Sequence, residues 1–130
     1  MKKQVFGSND ILIDDYNATS IANMIDDPTA KTDLDGQKYI LGGTLLAADK
    51  NFLTSNDGSV ILNPTTDATK AQGILRQDYN IADGATAASV VIAGTINLAR
   101  MDDEVRKNYT DEIITALKTA LPKVMIVNRD

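Results

Sequence analysis

Carboxylates are the only side chains in this sequence whose number and grouping suggest catalysis. They cluster at Asp14-Asp15, Asp26-Asp27 and Asp102-Asp103-Glu104. Two carboxylates can act as general acid and general base where their surroundings hold their pKa values apart. Adjacent residues on a strand point in different directions, however, and Asp and Glu usually lie in solvent. We therefore expect these clusters to be solvated and non-catalytic.

The sequence contains no histidine and no cysteine. The commonest general base, which is also the commonest transition-metal ligand, is therefore missing. Disulfides and thiolate metal sites are excluded as well. We expect a protein with no enzymatic activity, no cofactor and no metal. A carboxylate-dependent enzyme with a glycosidase-like pair stays open as a distant alternative.

One acidic segment resembles the start of a calcium-binding loop. Asp33-Leu34-Asp35-Gly36 has the spacing of the first ligands, but the loop then requires a further acidic ligand and a closing Glu. Gln37-Lys38-Tyr39-Ile40 supplies neither. Asp-Gly pairs are frequent in turns, so the segment predicts a turn before a strand.

Length and charge limit the classes of partner. At 130 residues the chain is long enough for one domain with a single core. Its formal net charge is −5, and its basic residues form no cluster larger than pairs such as Lys2-Lys3, whereas phosphate binding needs many clustered basic residues. No apolar run is long enough to cross a membrane. We expect neither nucleic acid nor a membrane as a partner.

Residues 1–37 are predicted to form an N-terminal region distinct from the core. Residues 1–16 have the pattern of an extended arm, because Gly7-Ser8-Asn9-Asp10 interrupts any regular period. Such a segment stays extended until it meets a partner. The apolar residues of this arm are Val5, Phe6, Ile11, Leu12 and Ile13.

A short helix is predicted over residues 17–25, after the arm. Asn17 is placed to cap it, and Asp27-Pro28 would end it. Residues 28–37 are polar and turn-rich, as in a linker. The apolar side of the predicted helix consists of Ile21, Met24 and Ile25.

From residue 38 onward the pattern indicates β structure. Gly42-Gly43 predicts a bulge or a sharp bend inside a strand, and Asp57-Gly58 predicts a hairpin turn. The predicted strands are Lys38–Leu41, Thr44–Ala47, Phe52-Leu53, Val60–Leu62, Gln72–Tyr79 and Ala88–Met101. Regular alternation along the last strand puts Val91 and Ile96 on opposite faces.

A helix and a buried strand are predicted at the end of the sequence. Thr110 is a suitable cap, and the acids after it suit the positive end of the helix. Pro122 ends the helix, and Val124–Val127 forms the strand. The apolar stripe consists of Ile113, Leu117, Ala120 and Leu121. The predicted fold is α+β and mainly β: a small antiparallel or barrel-like sheet, one C-terminal helix and an extended N-terminal arm.

Several of these segments occur in the order found in a known family. They are Gly43-Thr44-Leu45-Leu46, Ala71-Gln72-Gly73-Ile74-Leu75, Asp78, Val90-Val91-Ile92, Gly94-Thr95-Ile96 and Leu98, followed by the helix and the closing strand. Residues 38–130 thereby resemble the capsid decoration proteins of tailed phages, the family of the lambda head decoration protein. Residues 1–37 are longer and more structured than that family's arm.

The resemblance implies a structural virion protein, made in the host cytoplasm and located on the outer surface of the head. It implies a homotrimer that binds the major capsid protein and stabilises the shell. Val5, Phe6, Ile11, Leu12 and Ile13 would then be the capsid-binding residues, adding a strand to a capsid sheet. Three arms on one trimer would raise the effective concentration of each weak contact.

Two other functions stay open. The same core would serve a head-fibre base or minor virion adaptor, with residues 1–37 attaching a head-fibre protein. The more distant alternative is a non-viral ligand-binding β domain.

Overall fold

A computed structural model describes residues 10–13, 18–55 and 58–129. About 32% of the chain is strand and 18% is helix, which confirms the predicted α+β, mainly β class. The strands are β1 (Thr19–Ile25), β2 (Tyr39–Ile40), β3 (Leu45–Ala47), β4 (Asn63–Pro64), β5 (Gly73–Leu75), β6 (Tyr79–Asn80), β7 (Thr86–Asn97) and β8 (Val124–Val127). The α-helices are α1 (Asp103–Arg106) and α2 (Asp111–Ala120), and short 3₁₀ turns cover Ala68–Lys70 and Leu98–Arg100.

Strand β7 organises the main sheet. The antiparallel order is β1-β7-β5-β3-β4, and β8 joins β7 in parallel, from Gly94 opposite Val124 to Asn97 opposite Val127. Strands β2 and β6 form a separate two-stranded sheet. Because β7 is 12 residues long, it can pair with β1 and β5 in its first part and with β8 at its end.

The helix predicted over residues 17–25 is wrong, because Thr19–Ile25 is a strand that pairs antiparallel with β7 along its whole length. The outer edge of β1 is also used: the Leu62 amide donates to the Met24 carbonyl at 3.0 Å. Of the predicted apolar stripe, Ile25 is buried, whereas Ile21 and Met24 are 37% and 38% exposed. Pairing with distant strands outweighs the local helical pattern, and β1 belongs to the same sheet as the strands of residues 38–130.

Two apolar clusters lie on opposite faces of the sheet. Neighbouring residues of one strand alternate between them, as Val91 and Val90 do, because successive side chains point to opposite faces. The helix-side cluster includes Ile11, Leu12, Leu45, Ile74, Val91, Ile96, Val105, Tyr109, Leu117 and Leu121. The loop-side cluster includes Ile25, Ile40, Leu46, Phe52, Val60, Leu62, Leu75, Ile81 and Val90.

The predicted alternation along β7 fails near Gly94. Val91 and Ile96 were expected on opposite faces, yet both lie in the helix-side cluster. The β1 register shifts at this point, since Thr19 and Ser20 are opposite Ala93 and Val91. Gly94 has φ +128°, which L side chains rarely adopt. An irregularity of this kind moves later residues to the other face.

The C-terminal elements follow the prediction closely. The Thr110 hydroxyl accepts from the Ile113 amide at 3.3 Å, as an N-cap does. Leu117 is the buried residue of α2. The final strand is also confirmed at Val124–Val127. It is not fully buried, however, because Met125 is 62% exposed.

The turns were predicted with mixed success. Gly42-Gly43 forms a sharp turn between β2 and β3, and the turn at residues 33–36 is confirmed by the Gly36 amide, 3.0 Å from the Asp33 carbonyl. Phe52-Leu53 lies in a turn rather than in the predicted strand. The predicted strand Gln72–Tyr79 is interrupted, giving β5 and the start of β6. Of the predicted hairpin turn, Asn56 and Asp57 lie outside the described residues.

Candidate functional site

The structure divides the predicted capsid-binding residues into three groups. Ile11 and Leu12 are 0% and 2% exposed and belong to the helix-side cluster. Ile13 is 39% exposed. Val5 and Phe6 lie outside the described residues. The prediction of an arm outside the core is therefore wrong at Ile11 and Leu12, whose side chains are not available to a partner protein in this fold.

The backbone of β7 explains why residues 10–13 join the core. The Ile13 amide donates to the Thr95 carbonyl at 3.1 Å, and the Asn97 amide donates to the Ile11 carbonyl at 2.9 Å. An antiparallel bridge joins Leu12 to Ile96 between these two bonds. Residues 10–13 thus extend the antiparallel pairing that β1 makes further along β7.

An ion pair fixes the start of this segment. Arg76 Nη2 lies 2.8 Å from Asp10 Oδ2, and Arg76 Nε lies 3.1 Å from the same oxygen and 3.2 Å from Oδ1. The two side chains are only 22% and 28% exposed. A forked contact of this kind is stronger and more directional than a pair in open solvent. The Asp10 carboxylate also accepts from the Leu12 amide at 3.1 Å.

Two further bonds hold the segment on its other sides. Arg100 Nη1 donates to the Leu12 carbonyl at 2.5 Å, and the Ile11 amide donates to the Arg76 carbonyl at 3.3 Å. Backbone and side-chain contacts from distant parts of the chain therefore converge on residues 10–13. We call this the anchored segment. It is the fixed point to which residues 1–9 are covalently joined.

The acidic pair at Asp26-Asp27 stabilises a turn. Asp26 Oδ1 accepts from the Asp27 amide at 2.8 Å. Asp27 Oδ1 accepts from the Thr29 amide at 3.0 Å and from its hydroxyl at 2.7 Å. These bonds are the local side-chain-to-backbone contacts typical of Asp in turns. The cluster Asp14-Asp15 lies outside the described residues.

The third acidic cluster builds the start of α1. Asp102 Oδ1 accepts from the Glu104 amide at 2.9 Å, Asp103 pairs with Arg106, and Glu104 pairs with Lys107 at 3.0 Å. Across residues 10–13, 18–55 and 58–129, no three Asp or Glu side chains converge as a metal site would require. Each carboxylate of this cluster serves a cap or a local ion pair.

Two buried titratable groups hold the Gly42-Gly43 turn. Asp78, which is 7% exposed, accepts from the Gly42 amide at 2.8 Å. Tyr109 donates its hydroxyl to the Gly43 carbonyl at 2.5 Å, and burial raises the pKa of Tyr109 well above its usual range. At Gly43 φ is +95°, and a Cβ there would lie 2.6 Å from Met101 Sδ. The arrangement is suited to fixing a turn.

A groove lies between α2 and β8. Its volume is about 290 Å³. Strand β8 pairs with β7 along one edge, and Met125 of β8 is 62% exposed. The groove is lined by Ile114, Leu117, Lys118, Pro122, Lys123, Val124, Met125 and Ile126. Sequence reasoning missed it because the Val124–Val127 pattern is equally typical of a buried strand.

No protein-family model and no curated protein sequence matches this chain. In the part of the chain that the structure describes, neither helix has the length and apolar character needed to span a bilayer.

Proposed function

We propose that this protein is a non-enzymatic structural protein of a tailed-phage virion. It binds the outside of the head as a homotrimer, contacts the major capsid protein and stabilises the shell. The observation that carries the proposal is the anchored segment, where Asp10 pairs with Arg76 and the backbone of residues 11–13 pairs with β7. These contacts give residues 1–9 a rigid attachment to the sheet.

A rigid attachment favours binding by a short adjoining segment. Ordering a chain costs about 1–2 kcal/mol of backbone entropy for each residue, so a partner-binding segment joined to a fixed point loses less freedom than one joined to a loose linker. Ile11 and Leu12 belong to the core, so the apolar residues of the predicted set that remain for this role are Val5 and Phe6, with the partly exposed Ile13 beside them. Residues 1–9 would bind by adding a strand to a capsid sheet edge.

The local roles of the acids support a non-enzymatic function. Asp26, Asp27 and Asp102 accept backbone amides in turns or caps, and Asp103 and Glu104 form ion pairs within α1. Each of these carboxylates already has a hydrogen-bond or ion-pair partner within its own turn or helix. The segments that carry the family resemblance also form β3, β5, β7, α2 and β8 in the same order along the chain.

The test is co-sedimentation with expanded phage heads. We expect deletion of residues 2–9, or the double substitution Val5→Ser and Phe6→Ser, to abolish binding while leaving the unfolding temperature unchanged. Leu53→Ser is the matched control, because Leu53 is 47% exposed in a turn far along the chain. Truncated protein that co-sediments as well as the wild type would disprove the role of residues 1–9.

Copy number separates this proposal from a fibre-base function. A protein that covers the head is present in purified virions in amounts comparable to the major capsid protein. A fibre base is present in far smaller amounts, and absence from virions would disprove both functions. Mass spectrometry of purified virions gives the number directly.

A further inference from the structure

Leu34 is the most exposed large apolar side chain in the described part of the chain. Its relative exposure is 106%, and it lies between Asp33 and Asp35. Single exposed leucines are common on protein surfaces and need no explanation by themselves. Leu34 differs from such cases because the backbone that carries it is fixed.

A network of hydrogen bonds builds the turn around Leu34. Asp33 Oδ1 accepts from the amides of Asp35 and Gln37, both at 2.9 Å. The Gly36 amide donates to the Asp33 carbonyl at 3.0 Å, and the Asp33 amide donates to the Gln37 carbonyl at 2.7 Å. Gly36 has φ +79°, a conformation suited to glycine. These bonds fix the backbone that carries Leu34, so little backbone entropy is lost on binding.

The α2–β8 groove has the complementary properties. Its volume of about 290 Å³ is at the lower limit for a small-molecule pocket, so it suits one or two side chains better than a large ligand. Leu117 is buried at its base, and Met125 is 62% exposed at its side. The charged residues among its lining are Lys118 and Lys123, both exposed, and its lining contains no acid.

We propose that the α2–β8 groove binds the Leu34 turn of a second copy of this chain. Leu34 would enter the apolar groove, and the carboxylates of Asp33 and Asp35 would lie near the ammonium groups of Lys118 and Lys123. The apolar side chain with flanking acids matches the apolar groove with flanking bases, which is the observation that selects this occupant. One chain carries both halves of the contact.

A contact between two different surfaces is head-to-tail. It closes into a ring when the rotation between copies permits and otherwise continues as a filament. A stable interface buries about 1,200–2,000 Å², and one turn in one groove buries less than that. A single contact is therefore weak, whereas a closed ring makes one such contact for every member. The inference adds a contact surface to the proposed oligomer, and its failure would leave the head-binding test unaffected.

Self-association in solution is the first test. We expect the wild type to form oligomers in sedimentation equilibrium, and we expect Leu34→Ser and Met125→Glu each to raise the concentration needed at least tenfold. Leu53→Ser is the control, since it removes an exposed apolar side chain at another turn. The unfolding temperature of each variant checks that the fold is kept. Variants that associate like the wild type would overturn the groove contact alone, whereas a wild type that stays monomeric would contradict both this contact and the homotrimer of the proposed function.

Charge reversal tests the pairing itself. Asp35 is the suitable acid, because the turn uses its backbone amide and carbonyl. We expect Asp35→Lys to weaken association and Lys118→Glu with Lys123→Glu to weaken it as well. Combining all three substitutions should restore at least part of the association, because each reversed charge again faces an opposite one and the effects are then not additive. Effects that simply add would contradict the proposed pairing.

The chain's lack of cysteine allows a direct measurement of proximity. Under oxidising conditions, a chain with Leu34→Cys and Met125→Cys should form disulfide-linked multimers. The control pair Leu53→Cys and Met125→Cys should form no disulfide-linked multimers. If Phe6→Cys and Met125→Cys instead formed an efficient disulfide within one chain, the groove would belong to the protein's own N-terminal residues, and the proposal would fail.

Discussion

The helix-side and loop-side clusters share one sheet but differ in what covers them. On the helix side, α2, the 3₁₀ turn at Ala68–Lys70 and the anchored segment pack against Val91 and Ile74. On the loop side, the cover consists of turns, bridges and the small β2–β6 sheet, which contribute Phe52, Leu62 and Ile81. The same strands therefore support one cover made of regular structure and another made mainly of loops.

The two covers should respond differently when a buried side chain beneath them is shortened and leaves a cavity. A helix held by its own hydrogen bonds moves as a unit, so it cannot close around a small cavity without displacing several contacts. A loop can adjust a few dihedral angles and partly fill the space. The cost of a cavity depends on how far its surroundings collapse, so the two faces should differ in their sensitivity to truncation of buried side chains.

Truncating matched leucines on the two faces tests this difference and has the largest expected effect. Leu117 and Leu62 are 2% and 0% exposed. We expect Leu117→Ala to lower the free energy of unfolding by about 3–5 kcal/mol and Leu62→Ala to lower it by about 2–3 kcal/mol. Urea unfolding with a common slope measures both. Equal losses would mean that the loop cover is as rigid as the helix cover.

The irregularity of β7 at Gly94 determines which residues reach the helix side. A Cβ at this position would lie 2.9 Å from the Ala18 Cβ, and φ is +128°. We expect Gly94→Ala to cost about 2–4 kcal/mol through backbone strain and the steric clash together. Gly84→Ala is the control, because Gly84 has φ +106° but no atom within 4 Å of the added Cβ. If the Gly94 variant is no less stable than the Gly84 variant, the steric clash with Ala18 does not contribute to the cost of the Gly94 substitution.

The anchored segment closes one side of the helix-side cluster, and Arg76 holds it. We expect Arg76→Met to cost about 1–3 kcal/mol, because it leaves a partly buried carboxylate without its forked partner. Lys107→Met is the control: its ion pair with Glu104 is 63% and 73% exposed, so the expected cost is below about 1 kcal/mol. Faster proteolysis before residue 14 in the Arg76 variant would show local release. If the two variants lost equal stability, the anchor would be no stronger than a surface pair.

The helix cover was the easier of the two to predict from sequence. A stripe of Leu117 and Leu121, a capping Thr110 and a terminating Pro122 all lie within a dozen residues, so local rules were sufficient. The loop cover depends on bridges such as Ile25 with Leu62, which join distant residues. No local pattern carries that information, and Ile21 and Met24 consequently suggested a helix where a strand exists.

The candidate site shows the same limit. The sequence identified the apolar residues near the N-terminus, but it could not separate Ile11 and Leu12, which are buried, from Ile13, which is 39% exposed. The separation depends on Asp10 meeting Arg76, which is 66 residues away. An acid directly before the apolar residues 11–13 was the available signal, but its partner lies in the segment between β5 and β6.

The smallest expected effect concerns the 3₁₀ turn that brings Ala68 into the helix-side cluster. Asp67 caps this turn, and its pKa is lowered first by the hydroxyl of Thr69 and then by its amide. A lowered pKa means that the charged form stabilises the fold above the pKa of the unfolded chain, and that this stabilisation is lost as the pH falls through the folded value. Asp67→Asn should therefore flatten the acid side of the stability profile and leave its neutral-to-basic side with the same shape. The loss at neutral pH should be small, because Asp67 is exposed and screened by solvent.

Urea midpoints measured from neutral pH down to below pH 4 give the profile, and Asp49→Asn, a change at another exposed acid, is the control. An unchanged acid slope in the Asp67 variant would mean that the charge of Asp67 adds nothing to the stability of the 3₁₀ turn beyond the hydrogen bonds that Asn can also accept.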